Sequence, residues 1–382
     1  MRVAFVISHP IQYYVPLLRG LFEKDNLEIK VFYTWGEDSV KKFDPSYNKI
    51  IEWDIPLLNG YEHEFLENIS TDPGTHHFKG IDNPIIIDRI KDFGPDKIVV
   101  FGWSFKSHLK VLRYFKGKIP IYFRGDSHLL NSSFGFKSII RRIFLTWVYQ
   151  HIDFAISVGT NNKKYYEWVG LSKNKILFAP HAIDNRRFQQ TSVNEKPIFS
   201  RKGLGIPTDN IVFIYCGSFE ARKNIKLLIQ AKLNLQLESC SLILVGNGKE
   251  ELELKSMSEK DSQIIFIDFV NQSKLPEVYK LADVFVLFSN IETWGLVVNE
   301  AMASGLAIIT SEKVGCAIDL VKDNGFIVKA NDIEGLVSKM EEFVKNKSQL
   351  ELSKIRSKQI IEDWSMSELI NKFELILKVP IS

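Results

Sequence analysis

The chain has 382 residues, 45% of them hydrophobic and 25% charged, with a formal net charge of +3. That length suggests two domains of about 150 residues or more each, and the charge balance is too mild to argue for a nucleic-acid partner. No apolar run approaches the ~20 residues of a membrane-spanning helix, so any membrane contact is expected to be peripheral. The first apolar run, Arg2 to Ile7, reads as a strand because it is far too short for a secretory signal. In the first half, strands are expected at Val3–Ile7, Ile29–Tyr33, Lys97–Phe101, Ile119–Phe123, Phe154–Val158 and Ile176–Phe178. Helical patterns lie between several of them: one reaching Ile90 and capped by Asn83-Pro84, one from Phe105 to Phe115, and one from Lys137 to Tyr149.

The second half repeats the rhythm. Strands are expected at Ile211–Cys216, Leu242–Val245, Ile264–Ile267, Val284–Phe288 and Ala307–Thr310, with more helix from Asp332 to Leu375. Fully apolar strands alternating with helices argue for parallel sheets covered on both faces. The fold class is therefore α/β, with two Rossmann-like, doubly wound domains in tandem and a cleft expected between the carboxyl ends of their strands. Residues 1–190 form the first domain and 191–361 the second, with the polar stretch from Asn185 to Asn210 as linker and lead-in. Cys216, Cys240 and Cys316 form no C-x-x-C pair. They read as buried structural thiols of a reducing cytosol.

The segment from Ser289 to Gly305 carries the most information. Glu292 precedes a helix start at Thr293-Trp294-Gly295-Leu296, and Glu300 lies inside that helix. Backbone N–H groups at a helix start lack intrahelical acceptors and favour phosphate, and Gly295 permits close approach. Glu300, about one and a half turns further in, suits ribose hydroxyls better than phosphate. On spacing alone, two solvated glutamates are the simpler reading.

Their setting reverses that reading. Glu292-Thr293-Trp294-Gly295-Leu296 through Glu300-Ala301-Met302-Ala303-Ser304-Gly305 resembles the E-x7-E motif of retaining glycosyltransferases of the GT-B fold, family 4. Val245-Gly246-Asn247-Gly248 resembles that family's V-G-x-G turn. Val270-Asn271 to Asp283 resembles its base-binding loop and following helix, and Ala179 to Asp184 resembles its interdomain passage. Cys216-Gly217-Ser218 to Lys223-Asn224 resembles its phosphate loop, but Ser218 stands where the family commonly has Arg. The resemblance implies donor binding by Ser218, Lys223, Asn247, Val270, Thr293, Trp294, Gly295, Leu296 and Glu300. It also implies that Glu292 positions the transferred sugar, and that the final helix, from about 362 to 382, crosses back onto the first domain.

The amino-terminal half is less standard. The loop Ser8 to Leu17 has none of the glycines common in that group, so His9, Gln12 and Tyr13 are read as facing the acceptor or the transferred sugar. The alternative is a loop anchored by Tyr13 or Tyr14 in the core. After the Ile119–Phe123 strand, Arg124-Gly125-Asp126-Ser127-His128 collects polar groups at a strand's carboxyl end, where chemistry is expected. Either Asp126 or His128 stands near the donor sugar, unless Arg124 and Asp126 form a structural pair. The pattern from Phe136 to Trp147, apolar at helical spacing with cations between, is expected to be a core-facing helix with a solvated basic face. The alternative is a helix lying on an anionic membrane surface.

The function implied is transfer of a sugar, with retention, from a nucleotide-diphosphate sugar to a saccharide or lipid-linked acceptor, in the cytoplasm or at the inner face of the cell membrane. No cofactor or metal is expected: zinc spacing, the G-x-x-x-x-G-K-[ST] loop and a paired-aspartate motif are all absent from the sequence. The competing readings are a sugar-nucleotide epimerase of the same fold and a non-catalytic subunit that kept it.

Overall fold

The structure, a computed structural model, describes residues 1–132, 135–190, 197–235, 237 and 239–378. The strands of the amino-terminal half are β1 (Arg2–Ile7), β2 (Glu28–Tyr33), β3 (Lys42–Asp44), β4 (Lys49–Ile51), β5 (His63–Phe65), β6 (Lys97–Phe101), β7 (Ile121–Arg124), β8 (Phe154–Ser157) and β9 (Ile176–Phe178). Those of the carboxyl-terminal half are β10 (Ile211–Cys216), β11 (Cys240–Val245), β12 (Ile264–Ile267), β13 (Val284–Leu287), β14 (Ala307–Ser311) and β15 (Gly325–Val328). Every strand expected from the sequence is present, with ends shifted by up to two residues. The sequence reading missed β3, β4, β5 and β15, which are only three or four residues long.

The chain divides into two compact units. The first comprises Met1–Lys42, Ile55–His181 and the helix Met366–Lys378. Its sheet has the order β5-β2-β1-β6-β7-β8-β9. The interior strand β1 is buried along Val3 to Ile7, as a strand covered on both faces must be. The final helix is fixed here by Lys24–Glu374 at 3.0 Å and by Lys97 Nζ, which donates to the Leu377 carbonyl at 2.6 Å. Asn83 does not cap the helix that follows it. That helix runs Ile86–Phe93, with Ile85 at its N-cap. Asn83 is instead buried, and its Nδ2 donates to the carbonyls of Thr34 (2.9 Å) and Glu67 (2.7 Å). The bond to the carbonyl of buried Thr34 is the one solvent could least easily replace.

The helix Phe136–Tyr149 also departs from expectation. Leu145, Val148 and Tyr149 are buried at its carboxyl end. Phe136, Ile139, Ile140, Ile143, Phe144 and Trp147 are all exposed, Phe136 by 76% and Ile143 by 66%. Most of the apolar stripe therefore faces outward rather than into the core.

The second unit comprises Phe43–Asp54 and Ala182–Ser365. The sequence reading puts the domain boundary at residue 190, whereas the chain passes from the first unit to the second after His181. Asn185–Gln189 is already helix within the second unit, where Asn185 Nδ2 donates to the Ile361 carbonyl at 2.9 Å. Part of the expected linker, residues 191–196, lies outside the described residues. The second sheet has the order β12-β11-β10-β13-β14-β15, and all its pairings are parallel. The order reverses at β10, so the loops leaving β10 and β13 open side by side at the carboxyl edge, where such sheets bind ligands.

Candidate functional site

That topology explains why two segments about seventy residues apart meet. The loop after β10 and the loop after β13 are joined by the Asn290 N–H donating to the Arg222 carbonyl at 2.8 Å. Lys223 Nζ donates to Glu292 Oε2, and both side chains are only 11% exposed. Arg222 Nη1 stands 4.0 Å from the same carboxylate. The Glu292 backbone is pinned from its other side, because Gly315 N–H donates to its carbonyl at 3.0 Å and Cys316 N–H donates to that of Trp294 at 3.0 Å.

Gly295 has φ +95°, and a Cβ there would stand 3.1–3.3 Å from Leu287, Val314 and Glu292. Glycine is thus needed both for the left-handed turn and for the space. The helix Leu296–Ala303 begins immediately after it. Trp294 contributes no side chain to the site. Its indole is buried, donates to Asn299 Oδ1 at 3.0 Å and lies against Trp364 at 5.3 Å. Thr293 beside it is exposed.

Glu300 is fully buried and accepts a hydrogen bond from the Tyr279 hydroxyl at 2.9 Å. The Cys216 thiol is pushed well up by burial and then by the Glu300 charge, which puts the end of β10 beside that carboxylate. All three cysteines are buried and unbridged. Ser218 is turned toward Glu220, with Oγ to Oε2 at 2.8 Å, and Arg222 Nη2 reaches the same oxygen at 2.8 Å. Burial opposes ionisation of Glu220, but the Ser218 hydrogen bond and the charges of Arg222 and Lys223 outweigh it and hold its carboxyl below the usual range. Glu220 is therefore a charged member of this cluster that sequence reasoning missed.

Asn247 is fixed on every side. Its Nδ2 donates to Glu251 (3.1 Å) and Asp268 (3.2 Å), and its Oδ1 accepts from Phe269 N–H (2.9 Å). Before it, Gly246 has φ +138°, and a Cβ there would stand 2.0 Å from the Gly217 carbonyl, so the two loops close directly on each other. Val270 is half-buried beside Phe269.

In the first unit, Ser8 Oγ and His9 Nδ1 are 2.9 Å apart, and the His9 ring meets Trp35 edge-on at 5.2 Å. Gln12 and Tyr13 are half-buried. Tyr14 is the anchored residue of this loop. Its ring packs on Phe101 at 4.7 Å, and its hydroxyl is pushed up to about 12 by burial and the nearby Asp126 charge. Arg124 is buried and donates to the carbonyls of Ala179 (3.1 Å) and Pro180 (2.9 Å). Burial lowers it to about 10, and Asp126 acts on it through charge. The loop holding Asp126 and His128 is tied down from beneath, because Asn162 Nδ2 donates to the Ser127 carbonyl (2.8 Å) and Tyr166 to that of Gly125 (3.1 Å). His128 Nδ1 accepts from Leu130 N–H at 3.1 Å, which leaves the ring proton on Nε2.

Residues 198–362 match the family model for glycosyl transferases group 1. The matched segment is less than half of the chain. It contains Ser218, Lys223, Asn247, Val270, Glu292, Gly295 and Glu300; His9, Gln12, Tyr13, Asp126 and His128 lie outside it. The chain is 30% identical over 154 residues to an uncharacterized glycosyltransferase of Methanocaldococcus jannaschii, which covers 39% of each protein. It is 29% identical over 174 residues to the O-antigen chain mannosyltransferase B of Escherichia coli, covering 43% of this chain and 45% of that one. It thus spans less than half the length of these curated relatives. A crystal structure of the Anabaena protein HepE in complex with UDP superposes with a TM-score of 0.73 at 15% identity, over 99% of both chains. The fold is GT-B, with two parallel Rossmann-like sheets. Among the described residues, no helix is long and apolar enough to cross a membrane. Asp72, His76 and His77 bring potential metal-ligating atoms together on an exposed loop, and none of them is a site residue named above.

Proposed function

We propose that the protein is a retaining glycosyltransferase that moves a hexose from a nucleotide-diphosphate sugar to a saccharide or lipid-linked saccharide acceptor, in surface polysaccharide or glycoconjugate synthesis. One observation carries this reading. Lys223 and Glu292 meet at the helix start after Gly295, with Glu300 buried behind them, all inside the segment matched by the group 1 family. A named O-antigen mannosyltransferase among the relatives and the UDP bound in the HepE structure support it.

The diphosphate would lie between Lys223 and the N–H groups opening the Leu296–Ala303 helix, where both positive ends are fixed before the ligand arrives. Glu300 would accept from the ribose and Glu292 from the transferred sugar. In the reaction the acceptor hydroxyl oxygen bonds to the anomeric carbon on the face the diphosphate leaves. The carbon–phosphate-oxygen bond breaks, its electron pair stays on the diphosphate, and the hydroxyl proton passes to that same leaving group. Lys223 stabilises the charge gathering there, so no metal is needed in this scheme. Asp126 or His128, with His9, Gln12 and Tyr13, would serve the acceptor or the sugar.

Thermal melts with UDP, GDP and ADP test the donor site. One nucleoside diphosphate at about 100 times its Kd is expected to add about 2.7 kcal/mol of stability, or several degrees in Tm. A folded protein that none of the three stabilises at millimolar concentration would overturn the reading.

A lipid-linked acceptor fits the helix Phe136–Tyr149. Its outward apolar stripe lies among Lys137, Arg141 and Arg142, a combination suited to an anionic bilayer surface. The protein would then work at the inner face of the cell membrane. Co-sedimentation with phosphatidylglycerol vesicles is expected to exceed that with phosphatidylcholine, and to fall at least tenfold in an Ile139→Asp, Ile143→Asp variant. These side chains are 57% and 66% exposed, so the variant should melt like the parent. Equal, weak sedimentation in all cases would remove the membrane contact.

A further inference from the structure

The segment Phe43–Asp54 comes from the amino-terminal half of the sequence yet packs as part of the second unit. It is the hairpin β3–β4, turning through residues 45–48 with Asn48 at φ +54°. Its contacts follow one line along the carboxyl edge of the second sheet. At its base, Asp54 accepts from Ser273 N–H at 3.0 Å and from Ser273 Oγ, and the Asp54 N–H donates to Asn271 Oδ1 at 3.3 Å. Asn271 Nδ2 donates to the Glu52 carbonyl at 2.7 Å. Further along, Phe269 is met by Trp53 at 6.0 Å, by Tyr47 edge-on at 5.2 Å and by the Lys49 ammonium at 5.0 Å from its ring centre. Lys49 also reaches Asn247 Oδ1 at 3.3 Å.

At the tip, the Tyr47 hydroxyl is raised by burial and by the charges of Asp44, Glu300, Cys216 and Glu220. The tip is thus near enough to the assigned ribose ligand and to the phosphate loop to feel their charges. The hairpin runs from the base-side loop at Asn271 past Phe269 to Asn247, along residues assigned to the donor. It also satisfies polar groups along that track: both ends of the Asn271 amide and the Ser273 N–H, with a second donor to the Asn247 side-chain oxygen.

We propose that residues 43–54 form a strap that occupies the donor nucleotide's place, so that seating of the hairpin and binding of the nucleoside diphosphate exclude each other. The proposal rests on the donor site described above. A strap of this kind lowers apparent affinity by the fraction of molecules in which it is lifted, and it covers the site when no donor is bound.

The test is calorimetric titration of the full chain with UDP, GDP and ADP, comparing the parent with Tyr47→Ala and Asp54→Ala. Tyr47 is the tip and Asp54 an anchor, so both variants are expected to bind the preferred nucleotide at least fivefold more tightly. In hydrogen exchange of the parent, the same nucleotide is expected to speed exchange across 43–54. Binding that is unchanged or weaker in Tyr47→Ala, or protection of 43–54 by nucleotide, overturns the strap and makes the hairpin a wall of the pocket. Failure of all three folded proteins to bind UDP, GDP or ADP overturns the donor site itself.

Discussion

Lys223→Met is expected to lower sugar transfer by about 100- to 1,000-fold, the usual cost of removing one preorganised donor to developing charge. The loss should fall mainly on kcat, because the leaving diphosphate gathers charge as the bond breaks. The ion pair makes the prediction sharper. Without a donor the ammonium is held by Glu292, and both side chains are only 11% exposed. Glu292 thus fixes the lysine's rotamer in advance, and the arriving diphosphate competes for it. Removing either partner leaves a poorly solvated charge, a cost of about 3 kcal/mol when burial is nearly complete. Arg222, 4.0 Å from the carboxylate, should recover part of this in Lys223→Met. The double variant Lys223→Met, Glu292→Gln removes both charges, so its Tm is expected to rise above that of Lys223→Met while activity stays lost. Glu292→Ala should abolish transfer yet largely keep nucleotide binding. Steady-state kinetics and melts on the four proteins check the set. Full transfer by Lys223→Met would remove the diphosphate assignment.

The two sheets were legible because their central strands are apolar on both faces. Val3 to Ile7 and Ile211 to Cys216 can only be buried, and alternation with helices makes them parallel. The site was legible where chemistry and chain order coincide, as in the glutamates flanking Gly295. It was not legible where the topology does the joining. Nothing between residues 223 and 292 announces that they touch; the reversal of strand order at β10 does that. Tyr279 reaches Glu300 from another helix, and no spacing rule signals such a partner. The helix Phe136–Tyr149 was misread for a different reason. A 3.6-residue period reports that one face is apolar and says nothing about what that face meets. Asn83-Pro84 has the composition of a cap, but burial made its amide more useful to the Thr34 and Glu67 carbonyls. The hairpin 43–54 was hidden twice, because its strands are three residues each and because its partners belong to the other half of the sequence.

Glu300→Gln is expected to weaken nucleoside diphosphate binding by about 10- to 150-fold. Hydrogen bonds to charged groups contribute about 1.5–3 kcal/mol each, and each 1.4 kcal/mol is a factor of ten. The substitution keeps the shape of a fully buried side chain and leaves an oxygen for the Tyr279 hydroxyl, so a general disturbance of the helix is not the expected outcome. Tyr279→Phe separates the two contributions. It leaves the carboxylate charged and removes one of its donors, so binding should change far less than in Glu300→Gln. The ribose assignment predicts a cycle across the interface as well. Removing one ribose hydroxyl from the nucleotide should cost the parent protein much of what Glu300→Gln costs, and should cost the variant little, because the partner is already gone. Calorimetric titration of UDP and its 2′-deoxy and 3′-deoxy analogues into both proteins measures this coupling directly. If each deoxy analogue loses the same factor with parent and variant, Glu300 does not touch the ribose. It would then be a buried acceptor for Tyr279 that holds the helix start, and the resemblance on which its ribose role rests would not extend to this residue.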